Sequence, residues 1–365
     1  MASDPGYEVL FMPWAGLGQT YKLGPFSFVP WSQMERVAPE IKAYLDPYFQ
    51  RHVDHFGRPV NSITLLIRDG HDFSCDAYLS HERPSTAVDA MFFAIAGPTV
   101  AAAVSDDNDG LAPPTADAFE LIRQNFRAGD SDAMVRSGGS GHLAKISALI
   151  FSQPWDLGGT ARFPCDELLE GLGKLLDPSL ESEASETSTR CQKRDRIFRS
   201  LEWFRLAHKG GEATSDFARI VMMSTAFEIL LDFPENLKRQ HFIDVVDRRL
   251  RLPDSIIVKV RGPNNQEREV CAAASWAGDF YNLRNKVVHG DNLIPAQLRF
   301  DRGLTHQIVA DVVFWQCVKH ELFDLGVVGQ DIRDTRADPR VEKLAPMLEN
   351  QFFEYDTHRT LKWTT

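Results

Sequence analysis

The sequence predicts an α+β protein, with a β-rich α+β N-terminal domain followed by an all-α helical bundle. Three observations carry this. Between residues 7 and 68, apolar residues come in short runs closed by Pro and Gly, the pattern of strands. From residue 194 onward they recur every three or four positions over long stretches, the pattern of amphipathic helices. Between the two, residues 178–189 are rich in Ser, Thr and Glu and lack periodicity, which reads as a connection. The expected division is 1–178 as the N-terminal domain, 179–190 as linker and 191–330 as the bundle. Residues 331–365 follow as a charged tail with aromatics at Phe352, Phe353, Tyr355 and Trp363.

The N-terminal elements follow from local pattern. Residues 8–12 are an apolar run suited to a strand, and 22–31 alternate around Gly24-Pro25 and end on Pro30-Trp31. Residues 32–45 carry helical spacing. Residues 60–68 read as a strand, with Asp69-Gly70 as the turn after it. Residues 87–96 are so uniformly apolar that periodicity leaves helix and strand both open. Residues 99–116, small, acidic and Pro-rich, are expected to form a loop, 117–127 a short amphipathic helix, and 129–141 a flexible segment. A helix is expected over 167–176, with Asp166 as its cap.

In the C-terminal part, helices are expected over 194–209, 216–231, 236–252, 272–289 and 304–325, with a mixed segment at 253–270 that suits a short hairpin. Within 217–231 only Arg219 and Glu228 are charged, so that helix is expected to lie largely buried. Long helices on short connections imply a bundle.

Composition narrows the class. The chain has 365 residues, 43% hydrophobic and 25% charged, which is enough for two domains with a core. No apolar run approaches the roughly 20 residues of a membrane span, and Met1 to Gly6 lack the basic and apolar regions of a signal peptide. Cys75, Cys165, Cys191, Cys271 and Cys317 are dispersed, with no Cys-x-x-Cys pair, so neither a zinc site nor a disulfide framework is expected and the cytoplasm is the default location. The net charge of −11 argues against broad coating of nucleic acid. Its distribution is uneven: residues 191–330 hold 20 Lys+Arg against 18 Asp+Glu, leaving 20 against 33 elsewhere.

The stretch that points to chemistry is 280–291, Phe-Tyr-Asn-Leu-Arg-Asn-Lys-Val-Val-His-Gly-Asp. It reads as a helix end, with Gly290 as an αL stop. His289 falls at the C-terminus, and Asn285, four residues earlier, shares its face. Arg284 lies between aromatic and β-branched neighbours, a costly place for a cation without a partner. Glu228, on its apolar helix, has the opposite need, so the two are expected to pair. An Arg and a His at one helix end suit phosphodiester chemistry: the first is permanently charged and the second exchanges a proton near neutral pH.

Arg284-Asn285-x-x-x-His289, after Phe280-Tyr281 and before Gly290-Asp291, resembles the R-x(4–6)-H signature of HEPN domains, the ApeA-like branch above all. The string 226–231 is similar to the acidic helix that precedes the motif helix there, and the resemblance covers about residues 190–330. A second match to the spacing, Arg136 to His142, lies in a Gly/Ser loop and is set aside. The resemblance implies metal-independent RNA cleavage without a cofactor. The ribose 2′-OH attacks the adjacent phosphorus and leaves a 2′,3′-cyclic phosphate and a 5′-OH, so RNA is the expected substrate and DNA is not. It further implies a homodimer through the bundle and a role in antiviral defence or stress response.

In that scheme His289 is acid or base, Arg284 holds the phosphate, and Asn285 orients His289 or binds a phosphate oxygen. Glu228 and Tyr281 support them, and Lys286, Arg248 and Arg249 are candidate RNA contacts. Each has a plainer reading: a register-setting ion pair for Glu228, a packed ring for Tyr281, solvated charges for the rest. The alternative for the whole is a non-catalytic HEPN scaffold that dimerises and binds a partner or ligand. His52, Asp54 and His55 are a weak metal constellation without a third ligand pattern, and no nucleotidyltransferase triad, nucleophile elbow or kinase set is present.

Overall fold

The computed structural model describes residues 7–50, 62–70, 73, 84–105, 115–126, 133–136, 143–146, 164–177, 189–210, 214–251, 257–261, 267–300 and 305–329. The chain forms two compact units, Met1–Ile95 with Pro114–Leu180, and Ala96–Pro113 with Glu181–Thr365. The layout is α+β, with the seven-stranded sheet in the first unit and most of the helix in the second.

In the first unit, β1 (Tyr7–Met12), β2 (Tyr21–Leu23), β3 (Phe26–Pro30), β4 (Thr64–Arg68), β5 (Ile122–Phe126), β6 (Ala133–Arg136) and β7 (Leu143–Ile146) form one sheet in the order β2-β3-β4-β1-β5-β6-β7. Every pairing is antiparallel. The central position of β1 explains its unbroken apolar run: Val9, Leu10, Phe11 and Met12 are all buried. Glu8 is buried in the same strand, and Arg123 of β5 pairs with it, which supplies the partner a buried carboxylate needs. At the β2–β3 turn, Gly24 has φ +57°, and a Cβ there would stand 2.8 Å from the Gly173 carbonyl oxygen. Left-handed backbone and the close approach of α4 (Asp166–Leu176) both require glycine at this point.

Several expectations for this half are corrected. The helix expected over 32–45 is broken into a 3₁₀ turn, α1 (Met34–Val37) and α2 (Pro39–Phe49), because Pro39 lacks the N–H that would continue α1 and instead opens α2. Residues 87–96 are helical, inside α3 (Pro84–Ser105), and every one of them is buried, which is why no face stood out in the sequence. The same helix runs through 99–105, assigned above to a loop; Ala101, Ala102 and Ala103 are strong helix formers. The helix expected over 117–127 is instead a 3₁₀ turn at Ala116–Phe119 followed by β5, since pairing with β1 and the ion pair to Glu8 override helical spacing. Part of the 129–141 segment is strand β6. Asp166 is the first residue of α4, with Cys165 in the cap position. His52, Asp54, His55, residues 137–142, the tail and all but the last two residues of the expected linker lie outside the described residues.

In the second unit, α5 (Thr189–Ala207), α6 (Asp216–Leu230), α7 (Lys238–Leu250), α8 (Ala272–His289) and α9 (His306–Asp324) surround an aromatic core. Thr189 and Arg190, expected in the linker, are helical. Phe227 of α6 is the hub. Its ring lies 4.7 Å from Phe242 of α7, 6.1 Å from Phe280 of α8 and 5.3 Å from Phe314 of α9, centroid to centroid. Phe204 of α5 stacks on Phe314, and Trp276 stacks on Phe280. The mixed segment at 253–270 holds the short hairpin it suits, so the bundle is helical but not purely all-α: β8 (Ile257–Arg261) and β9 (Glu267–Cys271) pair antiparallel between α7 and α8. Asp247 of α7 ties the hairpin in place, its carboxylate accepting from the Cys271 N–H at 2.6 Å at the start of α8. No helix among the described residues is long and apolar enough to cross a membrane.

Candidate functional site

The site grows out of the aromatic hub. Phe227 and Phe280 hold α6 against α8, and the next residue on α6 and the next turn on α8 bring Glu228 and Arg284 together. Arg284 Nη2 lies 3.3 Å from Glu228 Oε1. The Tyr281 hydroxyl donates to the same Glu228 oxygen at 3.2 Å, and the Arg284 guanidinium also lies over the Tyr281 ring, 5.6 Å from its centroid. Burial, and then the adjacent Glu228 charge, push the Tyr281 hydroxyl up to about 12, so it remains a donor at neutral pH. Arg284 Nη1 donates to Asn285 Oδ1 at 3.2 Å. Arg284, Asn285, Tyr281 and Glu228 are thus one bonded cluster.

Lys238, at the first turn of α7, joins it: its Nζ lies 2.6 Å from Glu228 Oε2. Sequence reasoning missed this residue. Lys238 is separated from Glu228 by a tight turn in which Leu237 adopts φ +60°, so no helical spacing connects the two, and nothing local marks the lysine. Two cations and a phenol therefore meet one carboxylate, drawn from three helices.

His289 stands in the last turn of α8, exposed, and is not part of the bonded cluster. Beyond it Gly290 has φ +75°; its N–H donates to Val287 O at 3.2 Å, and the Asp291 N–H donates to Lys286 O at 3.0 Å. These two bonds end the helix in a Schellman motif and hold the His289 backbone in place. Asn285 and His289 are one turn apart on the same face, about 6 Å along the axis. Neither Arg284 nor His289 is sealed beneath packed side chains.

The remaining candidates separate. Lys286 and Arg248 are exposed. Arg249 turns inward instead: it pairs with Glu321, lies 3.8 Å from Asp324, and donates to the Cys317 carbonyl at 3.4 Å. With its side chain only 11% exposed, Arg249 serves the α7–α9 contact and is withdrawn as an RNA contact. Tyr281 is buried, so its ring is closed to base stacking.

A second polar arrangement in this unit also went unread in the sequence. His208, just past α5, places Nδ1 2.7 Å from the Phe204 carbonyl and Nε2 3.1 Å from Asp311 Oδ2 on α9. Gln307 donates to Asp311 Oδ1 at 2.9 Å. Burial by itself favours the neutral imidazole, but the Asp311 carboxylate and the Phe204 carbonyl outweigh it and raise the His208 pKa. A carbonyl faces one ring nitrogen and a carboxylate the other, a setting that favours the protonated ring.

No family model, curated protein or solved structure matches this chain. Among the described residues, no three His, Cys, Asp or Glu side chains gather as metal ligands, and Cys271 and Cys317 are buried free thiols. The available chemistry is that of a guanidinium with spare donors, an amide bonded to it, and an exposed imidazole on the same helix end.

Proposed function

We propose that the helical unit is a HEPN-type, metal-independent endoribonuclease. One observation carries this reading: Arg284 and Asn285 are bonded to each other on α8, partly exposed, one turn before an exposed His289 at a helix end fixed by Gly290. In the reaction the ribose 2′-oxygen forms a bond to phosphorus, and the bond from phosphorus to the 5′-oxygen breaks. One proton leaves the 2′-OH and one is delivered to the departing oxygen, giving the cyclic phosphate and the 5′-OH. His289 handles one of these protons. Arg284 neutralises the non-bridging oxygens, which its planar fork does better than an ammonium. Asn285 orients the imidazole or donates to a phosphate oxygen.

A single imidazole serves only one of the two proton transfers, which favours a homodimer that sets two motifs across one cleft. The exposed Val288 and Ile294, on either side of His289 in the sequence, supply apolar surface for it. The cellular setting in this reading is cytoplasmic antiviral defence or stress response, with the N-terminal unit sensing a trigger or selecting substrate. Purified protein cuts RNA with chelator present, and His289→Ala lowers the rate about 100-fold or more. Cleavage by His289→Ala at the wild-type rate refutes the assignment.

The second reading, a non-catalytic HEPN scaffold that dimerises and binds a partner, draws on a different observation: Arg284 is already engaged by Glu228, Tyr281 and Asn285. It expects no cleavage at all, and a loss of stability or dimerisation in Arg284→Ala.

A further inference from the structure

The geometry points to an anion site built by Lys238 and Arg284 and occupied, in the free protein, by the protein's own Glu228 carboxylate. A phosphate group enters by displacing that carboxylate. The inference rests on the ribonuclease reading for the choice of an RNA phosphodiester as the natural occupant. It adds a binding residue, Lys238, and an internal competitor, Glu228.

Three facts support it. First, the two cations divide the carboxylate between them, with Lys238 on Oε2 at 2.6 Å and Arg284 on Oε1 at 3.3 Å, while the Tyr281 hydroxyl also donates to Oε1 at 3.2 Å. Carboxylate and phosphate are recognised by the same donor fork, so the donors that hold one oxygen pair can hold the other. Second, the cluster has a surplus of one positive charge and unused donors. Lys238 has three N–H groups, and Arg284 Nη1 and Nη2, which engage Asn285 and Glu228, each carry a second N–H. Third, the arrangement is reachable: the side chains of Lys238, Arg284 and Glu228 are 34%, 22% and 15% exposed. A purely structural ion pair needs one cation; the second brings more charge than Glu228 neutralises. The phenol, kept protonated, is a further donor for whichever anion is present.

Glu228 then has two effects. It keeps Arg284 oriented towards the place where phosphate oxygens will sit, and it sets an affinity threshold, because an entering phosphate must outcompete a tethered carboxylate. Weakly charged ligands fail this competition and a polyanion meets it.

The test measures binding apart from cleavage. A fluorescein-labelled, fully 2′-O-methylated oligoribonucleotide cannot be cut, because its attacking hydroxyl is blocked. Its affinity for the full-length chain is read by anisotropy over a series of salt concentrations, with inorganic phosphate as competitor. Lys238→Gln weakens binding about three- to tenfold and reduces the slope of log K against log salt by about one. Glu228→Gln tightens binding by a similar factor, and inorganic phosphate competes better against it. Lys238→Gln binding within twofold of wild type with an unchanged salt slope overturns the inference. So does a folded Glu228→Gln, checked by circular dichroism and thermal melting, that binds no more tightly than wild type. If Glu228→Gln does not fold, Lys238→Gln decides alone, since it alters a side chain that is one-third exposed. The two ideas fail separately. If binding follows Lys238 and Glu228 but unmodified RNA stays intact, the nuclease reading falls and the anion site stands. If RNA is cut, His289→Ala abolishes cutting and Lys238→Gln binds as wild type, the anion site falls and the nuclease reading stands.

Discussion

Replacing Gly290 by alanine isolates the backbone energy that ends α8 just after His289. Gly290 has φ +75° and nothing within 4 Å of where a Cβ would be built, so alanine meets no neighbour and loses no contact. What remains is the intrinsic cost of an L-residue in the left-handed region, roughly 1–2 kcal/mol. Asparagine tolerates that region better, so Gly290→Asn costs clearly less than Gly290→Ala. Urea unfolding measures both, and for a unit of this size 1–2 kcal/mol corresponds to a fall in Tm of about 2–8 °C. Because the Gly290 and Asp291 N–H bonds to Val287 and Lys286 set the helix end, RNA cleavage is kept in the asparagine variant and lowered in the alanine variant. The reasoning is refuted if alanine costs less than about 0.3 kcal/mol or more than about 3 kcal/mol, or if asparagine is as damaging as alanine.

Phe227→Ala removes the ring shared by α7, α8 and α9 and lowers stability by about 3–5 kcal/mol in chemical denaturation; a loss below 1 kcal/mol would mean the hub is not central. Arg249→Ala leaves Glu321 buried and unpaired and costs roughly 3–5 kcal/mol, while Arg248→Ala, at an exposed position, stays within about 0.5 kcal/mol of wild type. The folded pKa of His208 is raised above its ordinary 6.5, so the folded state holds the proton more tightly than the unfolded chain. The stability this gives is fully present below pH 6.5 and is lost as pH rises through the folded value. Melting wild type and the double variant His208→Gln/Asp311→Asn, which lacks both charges, from pH 5.5 to 9 therefore shows a gap that shifts against wild type towards alkaline pH, and a shift in its favour contradicts the assignment.

How much of this was legible in the sequence varies with the range of the interaction involved. The α8 boundaries, 272 to 289, and the glycine stop follow from one helix turn and its neighbours, so the sequence alone set them. The pairing of Glu228 with Arg284 was legible for another reason: each is a charge on an apolar helix that needs a partner. The helix assigned to 117–127 failed because a buried glutamate on β1, more than 100 positions away, draws Arg123 and its segment into the sheet. A local window contains no trace of that demand.

Composition and periodicity alone thus determined an α+β chain, a charged and apolar balance typical of a folded protein, and a helix ending in an arginine, an asparagine and a histidine. Tertiary structure alone decided which further groups join or leave the Glu228–Arg284 pair. It brought Lys238 across a left-handed turn onto the second oxygen of Glu228, turned Arg249 inward to Glu321, and enclosed His208 against Asp311. The physical reason is that a charge's effect depends on distance and burial, and chain separation records neither until the helices pack.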